Sequence, residues 1–333
     1  MSDRTKHHPT RRDMLAMPLA AALALHCGGT FAQGGYPGKP IKILVGFAPG
    51  GFTDVAARLI GLKLAESLGQ PVVVENRPGA NGMIASDAVA KAPPDGYTLL
   101  LPSLGLTTNP LLMEKAGYDP VKGFTPISLL AMVPNVLVAH PGVPANTVGE
   151  LLALARSRKA PITQASAGNG SPGHLSGALL QVMTGIRLDH VPYKGSGPAM
   201  NDLLGGHVDV SFPTIPTALP LVRTGKLKAI AVTGAKRSAM MPEVPTMAEA
   251  GVPGYDTGGW YGLVGPPGLP KGIADLLSAE VVKIMKMPEA RERFASEAAD
   301  PVGSNGAEMA EFLARDFKRW TEVVKAANIK PSA

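Results

Sequence analysis

Short apolar runs alternate with longer amphipathic stretches along most of the chain, and turn residues separate them. The first run, Ile41 to Val45, is β-branched and suits a central strand. After it, Val55, Ala56, Leu59, Ile60, Leu62, Leu64 and Leu68 recur at helical spacing. Between the two, Pro49-Gly50-Gly51 stops the strand, Asp54 is expected as the N-cap, and Gly69 closes the helix. Val72 to Glu75 predicts a second strand, Asn76-Arg77-Pro78-Gly79 a turn, about 81–91 a helix, and Tyr97 to Leu101 a third strand. This β-α-β-α-β series implies a parallel sheet with right-handed crossovers. Its glycine-rich loops then share one sheet edge, where ligands of open α/β sheets bind.

Two apolar runs follow, Ile127 to Met132 and Val136 to His140, interrupted by Pro134-Asn135. Thr147-Val148-Gly149-Glu150 matches a capping box and opens a helix. A second βα series begins with a strand over 161–166, a loop from Ala167 to Gly173, and a helix from His174 to about Thr184. Strands are expected at Leu188–Pro192, Val208–Phe212 and Lys228–Val232, with helices over Ser196–Leu204 and from Pro213-Thr214-Ile215-Pro216 onward. Trp260 to Val264 reads as a strand. The remainder is helical, ending with Ser304 as N-cap and Met309, Phe312, Leu313, Phe317, Trp320, Val323 and Val324 on one face. The chain leaves the first unit near 135 and returns near 260. The expected fold class is therefore α/β, with two lobes, each a mostly parallel sheet flanked by helices, joined by two hinge strands around a cleft. Residues 37–135 with 260–333 form lobe 1, and 136–259 form lobe 2.

Residues 1–32 change this picture only by removal. Thr10-Arg11-Arg12-Asp13-Met14-Leu15 resembles a twin-arginine signal, an apolar run from Met14 to Leu25 follows, and Thr30-Phe31-Ala32 offers a cleavage site. Export to the periplasm is expected, and no other long apolar run follows, so the mature chain is expected to be soluble. The only cysteine, Cys27, lies in that segment, which leaves residues 33–333 without a disulfide or thiol nucleophile. The 333 residues are 45% hydrophobic, ample for a large core. The net charge of +6 is compatible with an anionic ligand, but no basic cluster interleaved with aromatics suggests nucleic acid.

Catalytic constellations are thin. Ser171 and Ser196 lack a nucleophile elbow, and His140, His174, His190 and His207 have no metal-ligand spacing. No catalytic residue, metal or cofactor is expected. Gly168-Asn169-Gly170-Ser171-Pro172-Gly173 does fit G-x-G-x-x-G between a strand and a helix, with Asp189 about 20 residues on. That keeps open an exported NAD(P)-dependent oxidoreductase, and a hydrolase with an unrecognised site stands as a third reading. The binding reading uses what is abundant. Loops 46–54 and 166–174 would face each other from separate lobes, and backbone N–H groups at helix starts can hold a carboxylate without a salt bridge. The same loops also fit ordinary tight βα turns. Phe47 and Phe52 would supply an apolar wall.

Gly46-Phe47-Ala48-Pro49-Gly50-Gly51-Phe52-Thr53-Asp54, Glu75 to Gly82, Pro94 to Leu99, His190 to Gly195, Leu204 to Asp209 and Trp260 to Leu263 together resemble the substrate-binding proteins of the tripartite tricarboxylate transporter family, the Bug-type proteins. The resemblance covers essentially the whole mature chain in order. It implies a two-lobed periplasmic-binding-protein fold, type II-like, that closes on a small organic acid anion and delivers it to membrane permease subunits, here as a monomer and not as an enzyme. By that resemblance Phe47, Ala48, Gly51, Phe52, Thr53, Asp54 and Ser103 come from one lobe. Ser166, Ala167, Gly168, Asn169 and His174 come from the other. Phe52 is bulkier than the serine or glycine expected at its position, which points to a ligand with an apolar or aromatic part.

Overall fold

In the computed structural model, which describes residues 35–331, the opening apolar run Ile41–Val45 is a strand (β1) inside a six-stranded sheet. The export signal expected over residues 1–32 lies outside the described residues. Ile41, Ile43 and Val45, on one face, are fully buried, and on the other face Leu44 is buried while Lys42 is exposed. β2 (Val72–Asn76) and β3 (Thr98–Leu101) pair with β1 on either side, both parallel. Each is followed by a helix: α1 (Phe52–Leu68), α2 (Met83–Ala90) and α3 (Gly105–Leu112).

β4 (Thr125–Pro134) then carries the chain out of this sheet, and β5 (Val136–Ala139) begins the second. There α4 (Val148–Ser157), β6 (Ile162–Ser166), α5 (Pro172–Thr184), β7 (Leu188–Pro192), α6 (Ser196–Leu204), β8 (Val210–Ser211), α7 (Ile215–Arg223) and β9 (Lys228–Val232) follow. β10 (Gly258–Gly265) returns to the first sheet, and α8 (Lys271–Lys286), α9 (Pro288–Ala295), β11 (Asp300–Pro301) and α10 (Gly306–Ala326) complete the chain. The strand orders are β11-β4-β10-β3-β1-β2 and β7-β6-β8-β5-β9.

Both sheets are mixed rather than mostly parallel. β10 re-enters from the second sheet, so it runs antiparallel to its neighbours β3 and β4. For the same reason β5 is antiparallel to β8 and β9, while β6 pairs parallel with β7 and β8. These directions place the carboxyl ends of β1, β2, β3 and β4 on one edge of the first sheet. They place the carboxyl ends of β6, β7, β8 and β9 on the edge of the second sheet where β5 begins. Since the chain crosses from β4 into β5, the two carboxyl edges face each other.

The crossing segments hold one another at that point. Asn135 N–H donates to Thr233 Oγ1 (2.8 Å), the Thr233 hydroxyl and N–H both donate to the Asn135 carbonyl (3.1 and 2.9 Å), and Thr257 N–H donates to the Thr233 carbonyl (2.9 Å). The Asn135 side chain also donates to the Phe212 carbonyl. Two helix caps differ from the sequence expectation. Gly51, not Asp54, is the N-cap of α1, with Asp54 three residues inside. Asn305, not Ser304, caps α10, in a reciprocal capping box with Glu308. No helix among the described residues is long and apolar enough to cross a membrane.

Candidate ligand-binding cleft

On the first sheet, the loop after β1 is shaped by backbone contact. A Cβ on Gly46 would collide with the Cα of Gly82, so the 46–51 loop can pack on the turn before α2 only because position 46 is glycine, while Gly82 is favoured by its φ of 84°. Phe47 is half-buried, its ring lies against Gly82, and its carbonyl accepts from Asn76 Nδ2 (3.0 Å). Gly46, Phe47, Asn81, Gly82 and Ser103 line one small pocket at the sheet edge. Ala48 and Gly51 are exposed beside it.

Three residues of this loop turn inward. The Asp54 carboxylate is 4% exposed, and accepts Gly50 N–H (3.1 Å), Arg58 Nε (3.0 Å) and Asn76 Nδ2 (3.0 Å). The hydrogen bond from Arg58 is the chief reason its pKa falls to about 2. Thr53 is buried next to the Tyr261 phenol, whose pKa burial pushes up to about 12. The Phe52 ring packs edge-on against Tyr261 (4.6 Å) and Phe294 (5.4 Å), so the ring expected to wall a ligand is engaged by the protein's own aromatics.

On the second sheet, the 166–171 loop is held by side chains beneath it. Ser166 Oγ accepts Gly168 N–H (3.1 Å) and lies 2.6 Å from His190 Nε2. His174 Nδ1 accepts Gly170 N–H (3.1 Å), which leaves this nitrogen unprotonated. Burial lowers the His174 pKa to about 3, helped by neighbouring His190, and burial lowers His190 to about 4. Ala167 and Asn169 are exposed, while Gly168 (φ 129°) and Gly170 (φ 74°) adopt backbone open to glycine. Ser166, Ala167, Pro172, Ser196 and Thr214 line a pocket of about 90 Å³.

The loops from the two sheets meet, but through an intermediary. A Cβ on Gly170 would lie 2.9 Å from Leu112 Cδ1 and 3.8 Å from Asn81 Nδ2. Asn81 adjoins Gly82, and Gly82 backs onto Gly46. The second-sheet loop thus reaches the first through the turn before α2. Asn81, Leu112, Ser196 and Thr214 are missing from the sequence-derived set. The signal for Ser196 and Thr214 was topological: loops after β7 and β8 must share an edge with the loop after β6.

The electrostatics follow from the same topology. α1, α2 and α3 start at the carboxyl edge of the first sheet, and α5, α6 and α7 at that of the second. Six helix N-termini therefore border the gap, and their free N–H groups and dipoles favour an anion. No lysine or arginine is buried among the described residues. Nor does any group of three His, Cys, Asp or Glu side chains among them sit close enough to hold a metal.

The dinucleotide reading fails on register. Asp189 pairs with Thr163 near the start of β6 and β7, whereas the glycine loop follows Ser166 at their far ends. A ribose-binding acid must sit at the carboxyl end of its strand, beside that loop.

Comparison with known proteins gives a single direction. Residues 56–329 match the family model described as the tripartite tricarboxylate transporter family receptor. The chain is similar to the Bordetella pertussis protein BugT, 39% identical over 297 residues, covering 89% of this chain and 91% of that one. It is similar in structure to R. palustris Rpa4515 with adipate, at 37% identity and a TM-score of 0.77, covering 90% of this chain and 100% of that one. MatC from Rhodopseudomonas palustris, with bound malate, aligns at 36% identity and a TM-score of 0.72, over 87% of this chain and 100% of that one.

Proposed function

The chain belongs to the tripartite tricarboxylate transporter receptor family, whose members are solute-binding receptors and not enzymes, and from that premise we propose that it captures a small dicarboxylate in the cleft between its two sheets. The observation that carries this reading is the convergence of six helix N-termini on the gap without a buried cation. One carboxylate would be held by N–H groups of the 46–51 loop, with Phe47, Ala48, Gly51 and Ser103 forming that wall. Ser166, Ala167, Gly168 and Asn169 would form the other. Phe52, Thr53, Asp54 and His174 then act by holding the loops in shape. Adipate and malate, bound by two relatives, set the size class.

The division of strands between two sheets supports reading 37–135 with 260–333 as one lobe and 136–259 as the other. Closure about the crossing segments would be driven by contacts that a ligand makes only in the closed form. Export by a twin-arginine-like signal over residues 1–32, and delivery of the ligand to membrane permease subunits, complete the proposal.

The test is thermal unfolding of residues 33–333 against dicarboxylates, tricarboxylates, amino acids, aromatic acids and NAD(P). A ligand at 100 times its dissociation constant adds about 2.7 kcal/mol of stability, which is easily seen. A shift with C4 to C6 dicarboxylates is expected. No shift with any carboxylate would overturn the reading.

A further inference from the structure

The strands that cross between the sheets divide the space between the lobes in two. β3, β1 and β2 lie on one side of β4 and β10 and border the carboxylate cleft. β11 lies on the other side of β4, and the segment following β9 faces it. Behind the crossing strands, at that second opening, is a pocket of about 420 Å³. This size falls within the range of small-molecule sites.

Its walls come from both lobes. Arg291 and Val302 belong to the first, Ala235 and Lys236 to the second, and Asp256 to the segment entering β10. Val302 is 47% exposed, and with Met132 and Pro134 it gives the pocket an apolar strip. The charges are of both signs. Lys236 acts on Asp300, opposing the rise in pKa that burial imposes on that carboxyl. Arg291 and Asp256 are the other two charged residues of the lining. Neither side chain makes an ion pair with another described residue; the Asp256 backbone carbonyl accepts from Arg319 (2.7 Å), but its carboxylate is not engaged. Charges of both signs beside an apolar strip make up a surface complementary to a small aliphatic molecule that carries both charges.

We propose that this pocket is a second ligand site, for an aliphatic amino acid, with Arg291 receiving the carboxylate and Asp256 the ammonium group. The same topology couples it to the first site. Lobes that rock about β4 and β10 narrow one opening as they widen the other. A small ligand touching both walls of the rear pocket binds best when that pocket is narrow, and so opposes closure on the carboxylate. The coupling rests on the carboxylate reading of the front cleft; direct binding at the rear does not.

The experiment is isothermal titration of the purified protein with L-leucine and with 5-aminovalerate, which differ in charge separation, and with inorganic phosphate as a plain anion. Binding of at least one zwitterion is expected, weakened roughly tenfold or more in Arg291→Glu and in Asp256→Lys, as loss of a charge-assisted contact implies. Both side chains are exposed, so both variants should fold, and their thermal shift with a dicarboxylate reports separately on the front cleft. Where that shift exists, saturating zwitterion should weaken the dicarboxylate by roughly 5- to 10-fold, the usual scale of such couplings. Absence of heat with both zwitterions, binding of phosphate alone, or zwitterion binding unchanged in both variants would each overturn the proposal.

Discussion

The imidazole rings of His174 and His190 stack 3.9 Å apart and 14° from parallel. One ring accepts from Gly170 N–H and the other sits 2.6 Å from Ser166 Oγ, so the pair supports the 166–171 loop from below. His174 can do this only when neutral, because protonating its Nδ1 would turn an acceptor into a donor facing the Gly170 N–H, whereas His190 Nε2 can donate to Ser166 Oγ, whose own hydroxyl donates to the Gly168 carbonyl (3.1 Å). Burial favours the neutral form of both rings, lowering the pKa of His174 to about 3 and of His190 to about 4.

Stability should therefore fall as the medium is acidified. The unfolded chain takes up protons on these histidines near pH 6.5, while the folded chain resists until about 3 to 4. The stabilisation is complete above pH 6.5 and is lost progressively below it, on the order of 2 kcal/mol per histidine by pH 5. Urea unfolding at pH 7.5, 6.5, 5.5 and 5.0 measures it, and His190→Gln should flatten part of the slope. Equal midpoints across that series would contradict this account of the pair.

Asp54 makes a second prediction. Its oxygens bind Gly50 N–H, Arg58 and Asn76, and Asn76 also reaches the Phe47 carbonyl. Asp54→Ala should cost about 2 kcal/mol by orphaning these donors, and should weaken carboxylate binding by loosening the loop. Differential scanning calorimetry with titration of the variant would decide; an unchanged midpoint would show that the loop keeps its shape without the carboxylate.

That role was only half legible in the sequence. Asp54 near a helix start reads as an N-cap, but Asp, Asn and Ser serve both as caps and as first-turn residues, and only the backbone bond from Gly50 separates the two. Ser304 and Asn305 present the same ambiguity. Leu188–Pro192, Ser196–Leu204 and Lys228–Val232 were readable to their ends, because apolar spacing and Gly or Pro punctuation agree there. α3 was not, since Gly105, Pro110 and two threonines hide its period. The insertion of β10 between β3 and β4, and the two-residue β11, depend on pairings between distant segments that no local pattern encodes.

Gly170 tests whether the lobes meet where the contacts indicate. Its φ of 74° already disfavours a side chain, at a cost of about 1 kcal/mol for alanine. An alanine Cβ would also press on Leu112 Cδ1 across the cleft, so that side chain must shift. Gly170→Ala is expected to lower dicarboxylate affinity roughly tenfold, about 1.4 kcal/mol, beyond its effect on the melting temperature. Pairing it with Leu112→Ala should restore part of the affinity, and failure of that rescue would place the closing contact elsewhere.

Asp316 links the helix that ends the fold to the strand that hinges it. It is 4% exposed on α10 and accepts hydrogen bonds from Thr107 Oγ1 (2.7 Å), Trp260 Nε1 (3.0 Å), Trp320 Nε1 (3.1 Å) and Arg319 (3.3 Å). Burial raises its pKa, so the charge is costly, and its donors are what make it tolerable. Asp316→Leu would leave two indole N–H groups without their acceptor, while the Thr107 hydroxyl keeps only the Leu104 carbonyl (3.1 Å), at a cost of about 3–5 kcal/mol. Asp316→Asn keeps the shape but presents an NH2 where donors already converge, so an intermediate loss of about 1–3 kcal/mol is expected. Trp260 and Trp320 are the two tryptophans of the chain, and both donate to this one carboxylate. Their fluorescence in the folded state should shift in both variants, alongside a lower urea midpoint. An asparagine variant as stable as the parent would mean that the indoles need no charge, and that Asp316 is retained for some reason other than holding α10 to β10.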